Sequence, residues 1–140
     1  KRDGSKIRLP NGNYLEETAS YFVMVETKTG GYTPALITMK STQLNVSKKW
    51  NSMMKTIQIP DGKGGFAIPP MHGVVYNLAS TLQKNDKGSW YGWVVTQDRI
   101  MGQDDKALYL SAKDFAGNVS KGSVQTKADV EEKVSDSTPY

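Results

Sequence analysis

Residues 21–57 read YFVMVETKTGGYTPALITMKSTQLNVSKKWNSMMKTI, and this stretch decides the fold. It opens on a continuous apolar run, Tyr21 to Val25, crosses a polar Thr/Lys/Gly turn at 27–31, and returns through Ala35-Leu36-Ile37-Thr38-Met39. Two β-favouring runs joined by so short a polar segment predict a hairpin of largely buried strands. From Ser41 onward the period changes. Val46, Trp50, Met53, Met54 and Ile57 fall at i, i+4, i+7, i+8 and i+11, which is one face of a helix. Ser41 or Thr42 is placed to cap the start of that helix, and Pro60 to end it.

Upstream, Asn11-Gly12 lies between Ile7-Arg8-Leu9 and Tyr14-Leu15 and predicts a short hairpin over 7–17. Downstream, Asp61 to Gly65 reads as a Gly/Lys loop, and Pro69-Pro70 as an extended approach to a strand from Val74 to Leu82. Asn85-Asp86-Lys87-Gly88 has turn chemistry, which makes Ser89 to Thr96 the returning strand. Asp104 or Asp105 can then cap a second helix carrying Leu108, Ala112, Phe115, Ala116 and Val119 on one face, with Gly122 as its stop. The last 18 residues hold too few apolar side chains to offset the cost of ordering.

The expected class is therefore mainly β with two helices, α+β. An OB-like five-stranded barrel, with one helix between strands 3 and 4 and another at the C-terminus, fits this order if residues 7–25 supply the first two strands. The alternative is two strand–strand–helix units packed as an α+β sandwich. Either way, residues 1–122 are expected to form one globular domain and residues 123–140 a mobile tail.

A chain of 140 residues is the size of one domain. With no cysteine, it has no disulfide, thiolate nucleophile or cysteine-bound zinc, and with His72 as its single histidine it has no multi-histidine metal site. No apolar run approaches a membrane span. The sequence opens on Lys1 without a charged segment leading into an apolar one, so no signal peptide is read, and the chain is taken as trimmed or as a fragment. The formal net charge of +4 is unevenly spread. Between Lys28 and Lys87, eight lysines face two acids, a surplus of +6, whereas the segment from Ser123 onward carries −2. A basic centre with an acidic end suggests a polyanionic partner, against the plainer reading of a solvated lysine face.

Two constellations carry chemistry. Lys40, Ser41 and Thr42 stand at the start of the first predicted helix, and Lys48, Lys49 and Lys55 lie on it, so ammonium groups, hydroxyls and free backbone N–H groups converge as a phosphate needs. Lys63 adds a cation from the Gly/Lys loop. Trp90, Tyr91 and Trp93 occupy one strand, with Tyr91 and Trp93 on the same face. Aromatic rings in a row on a strand suit base stacking, and the competing reading is that the tryptophans plug a core. Enzyme signatures are poor. His72 follows two prolines with no nucleophile pattern around it, Gly62-Lys63-Gly64-Gly65 lacks phosphate-loop spacing, and Asp104-Asp105 is explained by capping. Glu26-Thr27-Lys28 only weakly echoes a metal-dependent nuclease, so no catalytic residue, metal or cofactor is expected.

The runs Tyr21–Val25, Pro34–Leu44, Lys48–Asn51 and Asn85–Trp93 together resemble a family of tailed-bacteriophage proteins. Most members are labelled hypothetical and some single-stranded DNA-binding, with further sequence upstream. The resemblance covers about residues 7–97 and supplies no catalytic residue. It implies a phage origin and a place in the cytoplasm of the infected cell, with virion association as the alternative. A dense acidic tail, common in phage single-strand binders, is missing here.

The resulting expectation is a non-enzymatic, sequence-independent single-stranded DNA-binding domain with DNA preferred over RNA, no membrane contact, and homo-oligomerisation left open. Lys40, Ser41, Thr42, Lys48, Lys49, Lys55 and Lys63 would contact the backbone, and Tyr91 and Trp93 the bases. The alternative is a structural or assembly protein that binds another protein.

Overall fold

The computed structural model describes residues 2, 3 and 6–122, and the expected tail at 123–140 lies outside them. The chain is mainly β with two helices, an α+β protein. Near the N-terminus, β1 (Arg2–Asp3), β2 (Lys6–Arg8) and β3 (Tyr14–Glu16) form a small antiparallel sheet. The Asn11-Gly12 turn sits between β2 and β3 as expected, but in a loop of five residues. Gly12 takes φ +87°, and the Asn11 side chain accepts the Asn13 N–H at 3.0 Å.

The first long hairpin pairs β4 (Thr18–Glu26) with β5 (Tyr32–Lys40) in unbroken register from Thr18↔Lys40 to Glu26↔Tyr32. Alternation puts Ala19, Tyr21, Val23, Ile37 and Met39 on one face, and Met39 is fully buried. Ser41, at φ +55°, turns the chain out of β5 through one 3-10 turn into α1 (Leu44–Thr56). No side chain caps α1, so the caps expected of Ser41 or Thr42 are not made. The 3-10 turn supplies the first backbone bonds instead, with the Leu44 N–H donating to the Ser41 carbonyl.

Trp50 is the keystone of the core. It is 6% exposed, with its ring centroid 4.4 Å from that of Tyr21 on β4 and 5.6 Å from that of Tyr76 on the second hairpin. The Tyr21 hydroxyl also lies 2.9 Å from Ser47 Oγ and donates to Asn51 Oδ1 at 2.8 Å, which fixes the rotation of α1 on the sheet. The apolar stripe read from the sequence thus faces both hairpins.

Residues 59–67 close a minimal hairpin, β6 (Ile59–Pro60) with β7 (Phe66–Ala67). Asp61 accepts the Lys63 and Gly65 N–H groups at its tip, which holds its carboxyl below the usual carboxylate range. The second long hairpin, β8 (Val74–Asn85) with β9 (Gly88–Ile100), turns through Asp86-Lys87 and extends several residues beyond the predicted strands. α2 (Lys106–Ser120) follows and ends before Gly122, which at φ +69° stops it as expected. It docks on the turn at 71–73, where Tyr109 meets His72 at 5.3 Å and Ala112 is buried.

The expected five-stranded OB-like barrel is not found among the described residues, where the strands form separate small sheets. Closure requires each strand to pair on both sides with a set stagger. Here β4 pairs only with β5, β8 only with β9, and three-residue β3 is too short to bridge them. The order among the described residues is instead a small three-stranded sheet, then long hairpin and helix, a minimal hairpin, and a second long hairpin and helix.

Arg99 ties the end of β9 to the entry of α2. Its guanidinium lies 3.0 Å from Asp98 and 2.9 Å from Asp105, and Asp105 also accepts the Gly102 N–H at 3.1 Å. The Arg99 hydrogen bond first, and the Gly102 N–H second, hold the Asp105 carboxyl below the usual carboxylate range. A carboxyl depressed on folding stabilises the fold above its unfolded pKa of about 3.9, and that contribution is lost as pH falls through the folded value. Asp105→Asn is therefore expected to flatten the acid side of a plot of melting temperature against pH below about pH 4. An acid limb identical to that of the parent would contradict this assignment.

Candidate nucleic-acid interface

Pairing across β8–β9 sorts the aromatic strand into two faces. Tyr91 stands opposite Leu82 and Trp93 opposite Ser80, on the face that also carries Tyr76, Leu78 and Lys84. Near the base of the hairpin this face packs against α1, through the Trp50–Tyr76 contact. Toward the tip it is open: Tyr91 is 73% exposed, Leu82 49% and Trp93 37%. Two rings two residues apart on an extended strand lie about 7 Å apart, a spacing that stacked or splayed bases can span.

Trp90 lies on the opposite face and is held there. Its indole N–H donates to Gln83 Oε1 at 2.9 Å, and the Gln83 amide lies across Gly92. A Cβ on Gly92 would meet Gln83 at 2.8 Å. Gly92→Ala is expected to displace Gln83 and break the Trp90 bond, at a cost of about 1–2 kcal/mol. The check is a lower melting temperature together with altered tryptophan emission; an unperturbed protein would show that Gln83 can move at no cost.

The start of α1 is brought to this strand by one hydrogen bond. Gln43 Oε1 accepts the Trp93 N–H at 2.8 Å, on the side of β9 that faces away from β8. Beside it, Ser41 and Thr42 line a recess of about 340 Å³ whose other wall is Asn85, Lys87, Gly88, Ser89 and Trp90. Ser41 and Thr42 from one element and Lys87 from another thus line a common space. A second recess of about 310 Å³, at the other end of α1, is lined by Met53, Thr56, Ile57, Gln58, Gln97 and Ile100 and holds no charged group.

The other expected backbone contacts are placed as follows. Lys40 sits 3.6 Å from Glu16 in an exposed ion pair, which contributes little to stability and leaves the ammonium accessible. Lys48, Lys49 and Lys55 are exposed on the side of α1 turned away from Trp50, and Lys55 lies about 20 Å along the axis from Thr42. Lys63 is on the tip of the β6–β7 hairpin. None of Lys40, Lys48, Lys49, Lys55 and Lys63 lines the recess. Lys84 and Lys87, by contrast, were not among the expected site residues, yet they flank the open aromatic face and the recess. The signal was the period-2 position of Lys84 relative to Leu82, legible once the register is known.

Among the described residues no group of three or more His, Asp or Glu side chains could hold a metal ion, and no helix is long and apolar enough to cross a membrane. The fold and this surface define an α+β protein that presents an open aromatic ribbon edged by lysines. The chain belongs to the Pam3 phage gp34-like protein family, whose sequence model matches residues 1–125, and it is therefore a phage protein. No curated protein and no solved structure matches it.

Proposed function

We propose that this phage protein is a non-enzymatic, sequence-independent binder of single-stranded DNA that works in the cytoplasm of the infected cell. The observation that carries the reading is the outward face of β9, where Tyr91 and Trp93 stand exposed on one side of a ribbon that also bears Lys84. Large rings left in water on a strand cost hydrophobic free energy unless something stacks on them. Bases do so regardless of sequence, and a phosphate backbone running along the same ribbon would meet Lys84 beside the rings and Lys87, Ser41 and Thr42 at the recess. Lys40, Lys48, Lys49, Lys55 and Lys63 would contribute a more distant field that draws the polyanion in. An OB-like barrel is not required, because the ribbon alone presents the rings.

The test is titration of a labelled single-stranded oligonucleotide, with tryptophan emission followed in parallel, over a range of salt. Binding that weakens linearly in log affinity with log salt and quenches tryptophan supports the reading. Binding indifferent to salt, or none at low salt, would sink it. An assembly role, in which the protein meets another protein, is favoured by a separate observation. Phe22, Leu36, Phe66, Ile68 and Leu110 are exposed and do not line the recess, so the DNA reading does not account for them.

A further inference from the structure

We infer that β4 is a self-association edge, along which two copies of this chain join in an antiparallel β4–β4 pair to give a four-stranded sheet. The two edges of the first hairpin differ. On β5 the outer edge carries Pro34, which has no N–H to offer, and ends on Lys40; both are devices that discourage strand addition. On β4 the nine residues from Thr18 to Glu26 contain no proline, glycine or lysine, and no strand pairs with its outer side among the described residues. One edge is protected and the other is open.

Register makes the pairing specific. Pro34 lies opposite Met24, and because it cannot donate to β4 it belongs at a position whose backbone groups face away from the partner strand. Every even-numbered residue of β4 then turns its N–H and C=O groups outward. A two-fold axis through Phe22, the midpoint of the strand, sets Phe22 against Phe22 of the second copy, Ser20 against Met24 and Thr18 against Glu26. All three are pairs of even residues, so the outward groups meet outward groups. Five such pairings give about ten backbone hydrogen bonds, the number a typical stable interface carries in all. The strand is about 30 Å long, and pairing it would bury on the order of 500 Å² per chain, or about 1,000 Å² in total, the lower bound for a specific interface.

Charge fits the same register. Glu26 is the single charged residue of β4, and it would face Thr18 of the second copy, one strand away from that copy's Lys40, which pairs with Thr18 on β5. No like charges oppose each other. The exposed Phe22–Leu36 pair of each chain would join its equivalent across the axis in one apolar patch. The contact is isologous and closes at two copies, since β5 offers no second open edge.

The absence of cysteine gives a clean test. Sedimentation of the full chain is expected to show a dimer, and Phe22→Cys is expected to cross-link it under mild oxidation, because residues opposed in a hydrogen-bonded pair sit about 5.5 Å apart at Cα. Thr38→Cys on β5 is expected to stay monomeric on a denaturing gel. Ser20→Pro, which removes only an outward N–H as Pro34 already does on β5, is expected to shift the dimer to a monomer with an unchanged circular dichroism spectrum. A wild-type monomer at 100-fold the concentration used for oligonucleotide binding, open-ended oligomers, or cross-linking at Thr38→Cys in preference to Phe22→Cys would each overturn the proposal. Oligonucleotide affinity of the Ser20→Pro variant is read separately and bears on the β9 surface alone.

Discussion

Trp50→Ala is expected to destabilise the protein by about 3–5 kcal/mol, a large fraction of the roughly 5–15 kcal/mol by which ordinary domains are stable. The size follows from how few residues share the core. Among the described residues only Met39, Trp50, Val74 and Ala112 are buried hydrophobics, and Trp50 makes ring contacts with both hairpins, through Tyr21 on one side and Tyr76 on the other. Removing the indole opens a cavity between elements that do not pair with each other, so neither hairpin can close over it. Two-stranded hairpins are marginal by themselves, which makes this contact the condition for both. Trp50→Phe is expected to be much milder, because the indole N–H has no hydrogen-bond partner and ring burial is what the site uses. Thermal or urea unfolding of the two variants measures the difference. Equal losses would show that the N–H matters, and a small loss in both would show that the hairpins hold together without this ring.

Ser47 and Tyr21 refine the same point. Ser47 is the buried polar residue of α1, and its hydroxyl lies 2.9 Å from that of Tyr21. Sequence periodicity places Tyr21 in a strand and Trp50 on the apolar face of a helix, and both readings hold in the structure. It cannot show that one tyrosine both stacks on that tryptophan and bonds the neighbouring serine, because this depends on how the helix is rotated against the sheet.

The same distinction explains what was legible elsewhere. Both long hairpins, both helices and the Gly122 stop follow from local signals: alternation, a 3.6-residue period and residues suited to positive φ. The barrel does not follow from these, because closure depends on which non-adjacent strands hydrogen-bond, and a list of strands carries no information about that. Counting strands before and after a helix led to the OB-like expectation, while among the described residues β4 pairs only with β5 and β8 only with β9, and no closed barrel is found. At the candidate site, Tyr91 and Trp93 sharing a face is a consequence of period 2 alone. Their exposure is not, since it depends on α1 covering the base of that face and stopping short of the tip. The juxtaposition of Ser41 and Thr42 with Trp90 is a tertiary fact, made by the Gln43 bond to the Trp93 backbone, and Gln43 offered no signal of its own.

Replacing both rings, Tyr91→Ala with Trp93→Ala, is expected to lower affinity for single-stranded DNA by about 30-fold to 10⁴-fold while leaving the salt dependence nearly unchanged. Each base–aromatic stack contributes roughly 1–3 kcal/mol, and two independent stacks add. Neither ring is charged, so no counterion is released or retained by its removal, and the slope of log affinity against log salt keeps its value. The lysines should behave in the opposite way. Lys84→Ala with Lys87→Ala removes two cations beside the rings and is expected to reduce the slope by about 1–2, with less loss at high salt than at low. The Tyr91 substitution alone is also expected to leave stability within about 1 kcal/mol, because that side chain is 73% exposed in the free protein, whereas Trp93, 37% exposed, is expected to cost more. This separates the present reading from one in which the two rings belong to the core. A large fall in melting temperature on Tyr91→Ala would identify the ring as structural. Unchanged stability with unchanged DNA affinity would remove the aromatic face from the binding surface and leave the exposed ribbon to a protein partner.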